Sequence, residues 1–188
     1  MSLFESRLKT VSTASVFGFY ISQKQDDDLE LNPDYQRDYV WDEANAQALL
    51  YSIFNNLPIG SVSVILDSKA DKYCEVVDGK QRITTLLRFY ENEFPVYVSA
   101  KNGLVLPPEL LNVVESRAIY FKDMSGLDQR NFKKLKLPQV ELSSFDGKPV
   151  TRADKLSYFH RTNFSGVPIS DEHRKHIEAL LLAELNRS

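Results

Sequence analysis

Cysteine is almost absent from this sequence, and long hydrophobic runs are absent altogether. Cys74, the single cysteine, can form neither an internal disulfide nor a cysteine-based zinc cluster. No stretch reaches the roughly 18 consecutive apolar residues of a membrane-spanning helix. Residues 1–5 also lack the basic and then apolar pattern of a secretory signal. We therefore expect a cytoplasmic protein that does not enter a membrane.

Positive charge is not in excess either. The formal net charge is −3 at pH 7, so the surface as a whole is not suited to non-specific binding of nucleic acid. Any contact with DNA requires a local basic patch. The Gly-x-x-x-x-Gly-Lys-Ser/Thr pattern does not occur, which excludes a P-loop, and a His-Asn-His nuclease arrangement is also missing.

The apolar residues that are present, 43% of the 188, follow strand and helix patterns in alternation. Residues 1–20 suit a helix or a strand. Strands are predicted over residues 61–66, 73–77, 94–98, 118–121 and 137–142, and helices over 42–57, 80–90, 128–135, 151–163 and from 170 onwards. Near the helix over 128–135, Leu127, Phe132 and Leu135 are expected to face inward. This order predicts an α+β domain over residues 1–150, with a helical extension over residues 151–188 packed on it.

Residues 73–90 carry the most specific chemistry. A short apolar strand enters the tight turn Asp78-Gly79, and from Ile83 onwards apolar residues recur at helical spacing. The first turn of a helix leaves backbone amides unpaired at the positive end of its dipole, so Lys80 and Arg82 there predict an anion site. Asp78 would hold a metal ion, polarise a water molecule or cap the helix. An ordinary solvated turn uses the same residue types, so this stretch alone leaves the choice open.

Residues 31–41 are the second informative stretch. Asn32-Pro33 predicts an extended or turn geometry, because proline restricts the residue before it. An arginine held on such a turn, here Arg37, offers a planar fork to a phosphate or a carboxylate. Tyr39 and Trp41 follow on one side of the chain and would either stack on a nucleobase or anchor the segment in the core.

With both stretches in view, the chain resembles the DGQQR-motif domain of the GmrS family, within the ParB/sulfiredoxin-like superfamily. The resemblance covers about residues 31–175, in four blocks that follow the family's order. They are Tyr35-Gln36-Arg37-Asp38-Tyr39-Val40-Trp41; Leu49-Leu50-Tyr51-Ser52-Ile53 with Leu57-Pro58-Ile59; Val76-Val77-Asp78-Gly79-Lys80-Gln81-Arg82-Ile83-Thr84-Thr85-Leu86; and Phe159-His160-Arg161-Thr162-Asn163 with Gly166 and Pro168-Ile169-Ser170. The family fold is a small mixed sheet with packed helices.

The resemblance implies nucleoside-triphosphate binding and Mg²⁺-dependent hydrolysis, coupled to DNA restriction or phage–host conflict in a bacterial cell or a phage-infected host. It assigns the catalytic role to Asp78, Gln81, Arg82 and Gln36, with Asp78 as the metal ligand. It assigns binding of the nucleotide and its phosphates to Arg37, Gly79, Lys80, Thr84, Thr85, Arg161 and Asn163. The last two residues would close the site from the C-terminal helix.

Two features differ from the family pattern. Lys80 stands where the family usually has glutamine, which adds positive charge at the phosphate site and leaves hydrolytic competence open. The HNH-type nuclease domain that usually accompanies this domain is missing, so DNA and a separate nuclease subunit are the expected partners.

Two alternatives to nucleotide hydrolysis remain. One is a nuclease in which Asp78 and Arg82 act on a DNA phosphodiester. The other is a non-catalytic nucleotide-sensing or decoy partner of a restriction system. Sulfiredoxin-type redox chemistry is not expected, because Cys74 lies inside a predicted strand, where a thiol is inert.

Overall fold

The structure, a computed structural model, describes residues 8–164 and, beyond them, residues 175–176, 179–180 and 183; the side chains of residues 163 and 164 fall outside it. The strands are β1 (Leu8–Val16), β2 (Leu29–Glu30), β3 (Val62–Leu66), β4 (Cys74–Asp78), β5 (Val96–Ser99), β6 (Ser116–Ile119) and β7 (Lys136–Ser144). The α-helices are α1 (Phe17–Gln25), α2 (Glu43–Phe54), α3 (Lys80–Tyr90), α4 (Gly126–Lys133) and α5 (Arg152–Phe164). Short 3-10 turns lie at Pro108–Leu110 and Phe121–Asp123. The predicted α+β class is confirmed.

Five of these strands form a mixed sheet in the order β1-β7-β3-β4-β2. The pairs β1–β7 and β3–β4 are antiparallel, whereas β7–β3 and β4–β2 are parallel. Strands β5 and β6 form a separate antiparallel pair. Because Ser63 lies opposite Asp78, the carboxyl end of β4 is aligned with the start of β3.

The central strands are apolar on both faces, because helices cover both sides of the sheet. Val76 faces the larger apolar cluster, to which α1, α2, α3 and α4 contribute buried side chains. Val77 points the other way, into a smaller cluster with Leu156 and Phe159 of α5. Burial of a side chain the size of Leu156 stabilises the folded state by roughly 1.5–3 kcal/mol, so these apolar contacts help to hold α5 on the sheet.

Local sequence explains where the main helices begin. The side chain of Asp42 accepts a hydrogen bond from the backbone amide of Asn45 at 2.8 Å and caps α2, as the sequence indicates. Helix α3 begins after Gly79, which has a φ of 93°, a left-handed conformation that favours glycine. The chain can therefore turn from β4 into α3 without an intervening loop.

Three further predictions, for the first segment, for α4 and for the final helix, are compared with the structure. Residues 8–25 form a strand and then a helix, so the undecided first segment contains both. In α4 Phe132 is buried as predicted, but Leu127 is 59% exposed, and its predicted inward orientation is wrong. Five helical positions at 3.6 residues per turn place the two side chains on different sides of the helix. The final helix predicted from residue 170 lies largely outside the described residues.

No helix in the described part of the chain has both the length and the hydrophobicity needed to cross a membrane.

Candidate functional site

The amino end of α3 is the feature around which the candidate site is built. Gly79 occupies the position before the helix, and among the described residues no side-chain hydrogen bond caps its first turn. These amides lie at the positive end of the helix dipole, just after Asp78 at the end of β4. A helix start without a side-chain cap is suited to binding an anion.

Asp78 and Arg82 form a charged pair one helical turn apart. The Asp78 Oδ2 and Arg82 Nη2 atoms are 3.7 Å apart, and both side chains are partly exposed. Arg82 Nη2 also donates to the Ser61 carbonyl at 2.6 Å, which anchors the guanidinium beside Gly60. Arg82 Nε is buried and has no hydrogen-bond partner among the residues that the structure describes. Asp78 and Arg82 therefore present a carboxylate and a fixed guanidinium beside the uncapped turn.

Two other predicted site residues donate to main-chain carbonyls. The Gln36 amide donates to the carbonyls of both Val76 and Val77 at 2.7 Å, which ties residue 36 to β4. Lys80 is only 6% exposed, and its Nζ donates to the Arg37 carbonyl at 2.8 Å. Burial lowers the pKa of Lys80, although the nearby acidic side chains partly oppose this shift.

Gln81 and Thr85 hold the next residues of the same segment. Gln81 Nε2 donates to the Asp38 carbonyl, and Gln81 Oε1 accepts from the Val40 amide, both at 3.0 Å. The Thr85 hydroxyl donates to the Gln81 carbonyl at 2.8 Å and lies 3.0 Å from the Tyr39 hydroxyl. Segment 36–41 is thus attached to α3 and β4 along most of its length.

Arg37 is the predicted site residue whose side chain remains accessible. It is exposed, and its guanidinium forms no hydrogen bond or ion pair with any residue that the structure describes. Its backbone is fixed beside the first turn of α3, because its carbonyl accepts from Lys80. The structure therefore combines a fixed main chain with a side chain that is available to a ligand.

The remaining predicted site residues lie further from this turn. Thr84 is half-buried one turn along α3. Helix α5 runs towards the Asp78 end of β4, because Tyr158 Oη lies 2.9 Å from Oγ of Ser63, the residue opposite Asp78. Arg161 follows one turn later and is exposed, without a hydrogen bond to Asp78 or Arg82. The side chain predicted at position 163 lies outside the described residues.

Sequence reasoning missed a buried polar network that joins three parts of the fold. The Tyr35 hydroxyl donates to Glu75 Oε1 at 2.6 Å, and Lys155 Nζ pairs with the second oxygen of that carboxylate. Burial and the Glu75 charge raise the pKa of Tyr35 well above its usual value. A signal was present in the sequence, because Glu75 interrupts an apolar strand and a carboxylate that is even partly buried requires partners.

Two further findings concern clusters of metal-ligating side chains and the single cysteine. Among the described residues, no group of three or more His, Cys, Asp or Glu side chains is placed to hold a metal ion. Cys74 is fully buried, and burial raises the pKa of its thiol to about 12, as expected for an inert structural cysteine.

Comparison with known families finds one match. The model of one family, the N-terminal domain of the GmrSD restriction endonuclease, matches residues 18–176. The chain belongs to this family. No curated protein and no solved structure shows significant similarity to it. The GmrSD match extends from α1 through α5, so it includes β4, the Asp78-Gly79 turn and segment 36–41, and it confirms the resemblance drawn from the sequence.

Proposed function

We propose that this GmrSD-family domain binds a nucleoside triphosphate at the amino end of α3 and hydrolyses it in support of DNA restriction. Family membership points to a restriction system, and hence to defence against phage. The observation that carries the nucleotide part is the uncapped first turn of α3, accompanied by the Asp78–Arg82 pair and the exposed Arg37 side chain.

The positive groups at this turn suit a polyphosphate. Backbone amides at the start of α3 donate to phosphate oxygens, and the guanidiniums of Arg37 and Arg82 can each offer paired donors. Lys80 adds a further positive charge at short range, although its ammonium is bound to a carbonyl. The burial of Arg82 Nε strengthens its electrostatic effect, because charges act over a lower local dielectric away from water.

Hydrolysis at such a site depends mainly on the position of the attacking water and of the charged groups around the phosphate. Phosphoryl transfer proceeds mainly through alignment of the attacking water and stabilisation of charge on the phosphate oxygens. Asp78 is half-exposed, and its carboxylate is directed by Arg82, so it is suited to orient a water molecule. Gln36 and Gln81 support this arrangement through hydrogen bonds to the main-chain carbonyls of Val76 and Asp38, respectively.

A magnesium ion at this site would be coordinated by Asp78 together with the phosphates of the nucleotide. Asp78 is the carboxylate that would hold it, and magnesium is commonly bound by one or two carboxylates together with substrate phosphates and water. When bound, the ion would neutralise charge on the phosphate oxygens. Two-metal catalysis would need further carboxylates beside Asp78.

Phosphate release from a panel of nucleoside triphosphates with Mg²⁺ tests the proposal. We compare the wild type with Asp78→Asn and with a matched control, Asp71→Asn, in an exposed loop away from the site. Release should be lost in the first variant and kept in the second. Binding is followed separately by thermal melting, because a ligand at 100 times its Kd stabilises the folded state by about 2.7 kcal/mol.

The other outcomes discriminate the remaining functions. A nucleotide that raises the melting temperature without release of phosphate would refute hydrolysis and indicate a nucleotide-sensing or decoy partner. Equal release from Asp78→Asn and the wild type would refute the assigned site. Degradation of added DNA, with neither binding nor release of nucleotide, would support the nuclease alternative.

A further inference from the structure

Three side chains of α3 contact main-chain or side-chain atoms of segment 36–41. Lys80 and Gln81 reach the carbonyls of residues 37 and 38, Gln81 also accepts from the amide of residue 40, and Thr85 contacts the Tyr39 hydroxyl. Gln36 anchors the start of the segment to β4. We call this set of contacts the clamp. It leaves the Arg37 side chain exposed while the main chain around it is held.

We infer that Lys80 is a positioning residue, whose ammonium holds the Arg37 backbone against α3 so that the Arg37 guanidinium is the cation that contacts phosphate. This inference rests on the proposed nucleotide binding and assigns the two cations different tasks. Lys80 is buried and its Nζ donates to a neutral carbonyl, whereas Arg37 is exposed and makes no side-chain hydrogen bond with the described residues.

The chemistry of the two side chains agrees with this division. A buried ammonium is costly to desolvate and is retained when it makes hydrogen bonds that the fold requires. Asp38 and Glu30 lie close enough to favour the charged form of Lys80 and raise its pKa against the effect of burial. An exposed guanidinium on a fixed backbone loses less freedom when it binds a phosphate, because only the side chain must be ordered.

The clamp can be measured without any nucleotide, because Trp41, the only tryptophan, follows the last clamped residue. Lys80→Met keeps an apolar stem that ends at Cε but removes the ammonium and its donors, whereas Lys80→Gln keeps a donor that lies one atom closer to the backbone. We expect acrylamide to quench Trp41 more strongly in Lys80→Met than in the wild type, and Lys80→Gln to be close to the wild type. Lys69→Met, in an exposed loop, is the control.

Two results of this experiment would overturn the clamp. If Trp41 fluorescence is quenched equally in Lys80→Met and in the wild type, Lys80 does not hold the segment. If it is quenched equally in Lys80→Gln and in Lys80→Met, the hydrogen-bond donor at position 80 does not hold the segment. If Lys80→Met fails to give a cooperative melt, Lys80→Leu takes its place, since it also removes the donor to the Arg37 carbonyl.

A double-mutant cycle separates positioning from direct contact. Loss of a charge-assisted hydrogen bond predicts that Arg37→Ala weakens nucleotide binding roughly ten- to hundredfold. Lys80→Met should raise the KM for the nucleotide with kcat little changed, and Lys80→Gln should keep the KM close to that of the wild type. The double variant, Lys80→Met with Arg37→Ala, should bind the nucleotide no more weakly than Arg37→Ala alone. If the losses of nucleotide affinity in the two single variants add in the double variant, Lys80 contacts phosphate independently of Arg37, and the inference is overturned. Wild-type protein that binds no nucleotide would refute the proposed function instead, and the Trp41 result would still decide the clamp.

Discussion

Replacement of Gly79 by alanine tests the turn on which the site depends. Gly79 has a φ of 93°, and a Cβ added there would lie 3.1 Å from Val62 Cγ2 and 3.2 Å from both Val62 Cα and Arg82 Nη2. Val62 is buried in the main cluster, and Arg82 is bound to the Ser61 carbonyl, so neither side of the contact moves freely. We therefore expect two separate costs, one of backbone conformation and one of packing.

Gly103 isolates the backbone cost. It has a φ of 73°, and a Cβ added there meets nothing within 4 Å. A non-glycine residue in this left-handed region costs about 1–2 kcal/mol, and overpacking of a filled interior adds about 1–3 kcal/mol. Gly103→Ala should therefore lower the free energy of unfolding by about 1–2 kcal/mol, and Gly79→Ala by about 2–5 kcal/mol.

Urea denaturation, followed by circular dichroism, measures both variants on the same scale. Each kcal/mol also lowers the melting temperature by roughly 2–4 °C in a chain of this size, which gives a second readout. Equal losses in Gly79→Ala and Gly103→Ala would refute the packing at Gly79, because the two positions share only the backbone cost. No loss in either variant would refute the left-handed turns themselves.

Three further predictions concern the core and its polar network. Cys74 should resist thiol-reactive reagents at pH 8 until urea unfolds the chain, because burial raises its pKa to about 12; rapid labelling of the folded protein would contradict its burial. Leu156→Ala should lower the free energy of unfolding by about 2–5 kcal/mol, whereas the exposed Leu127→Ala should change it by less than about 0.5 kcal/mol; similar urea midpoints would argue against α5 as part of the core. Lys155→Met should cost about 1.5–3 kcal/mol, because it leaves the Glu75 carboxylate with only one of its two side-chain partners; an unchanged midpoint would show that the pair contributes nothing.

Much of the fold could be predicted because its signals are local. The β-branched run of β3, the cap at Asp42 and the apolar spacing of α3 each depend on residues that are neighbours in the sequence. The orientation of Leu127 was predicted wrongly, because the tertiary packing of α4 rather than its composition decides which side is buried. Inclusion of α5 in a core cluster likewise depends on Val77 and Leu142 of the sheet.

The site divides in the same way. The turn at the candidate site was predictable, since a strand, a left-handed glycine and a helix with basic residues in the first turn are all local features. The contacts of individual side chains were not predictable. Lys80 and Gln81 both reach atoms 43 residues away along the chain, and Tyr35 reaches Glu75 across 40 residues. No periodicity or composition encodes such contacts.

By itself, the sequence determined the α+β class, the turn from β4 into α3 and the membership of the GmrSD family. The first two follow from backbone preferences and short-range patterns, and the third follows from the match of the family model to residues 18–176. The tertiary structure alone decided that Lys80 is buried against a carbonyl while Arg37 remains exposed, although both are cations in the same motif region. Burial and hydrogen-bond partners depend on which distant segments meet, and this is set only when the layers of the fold pack together.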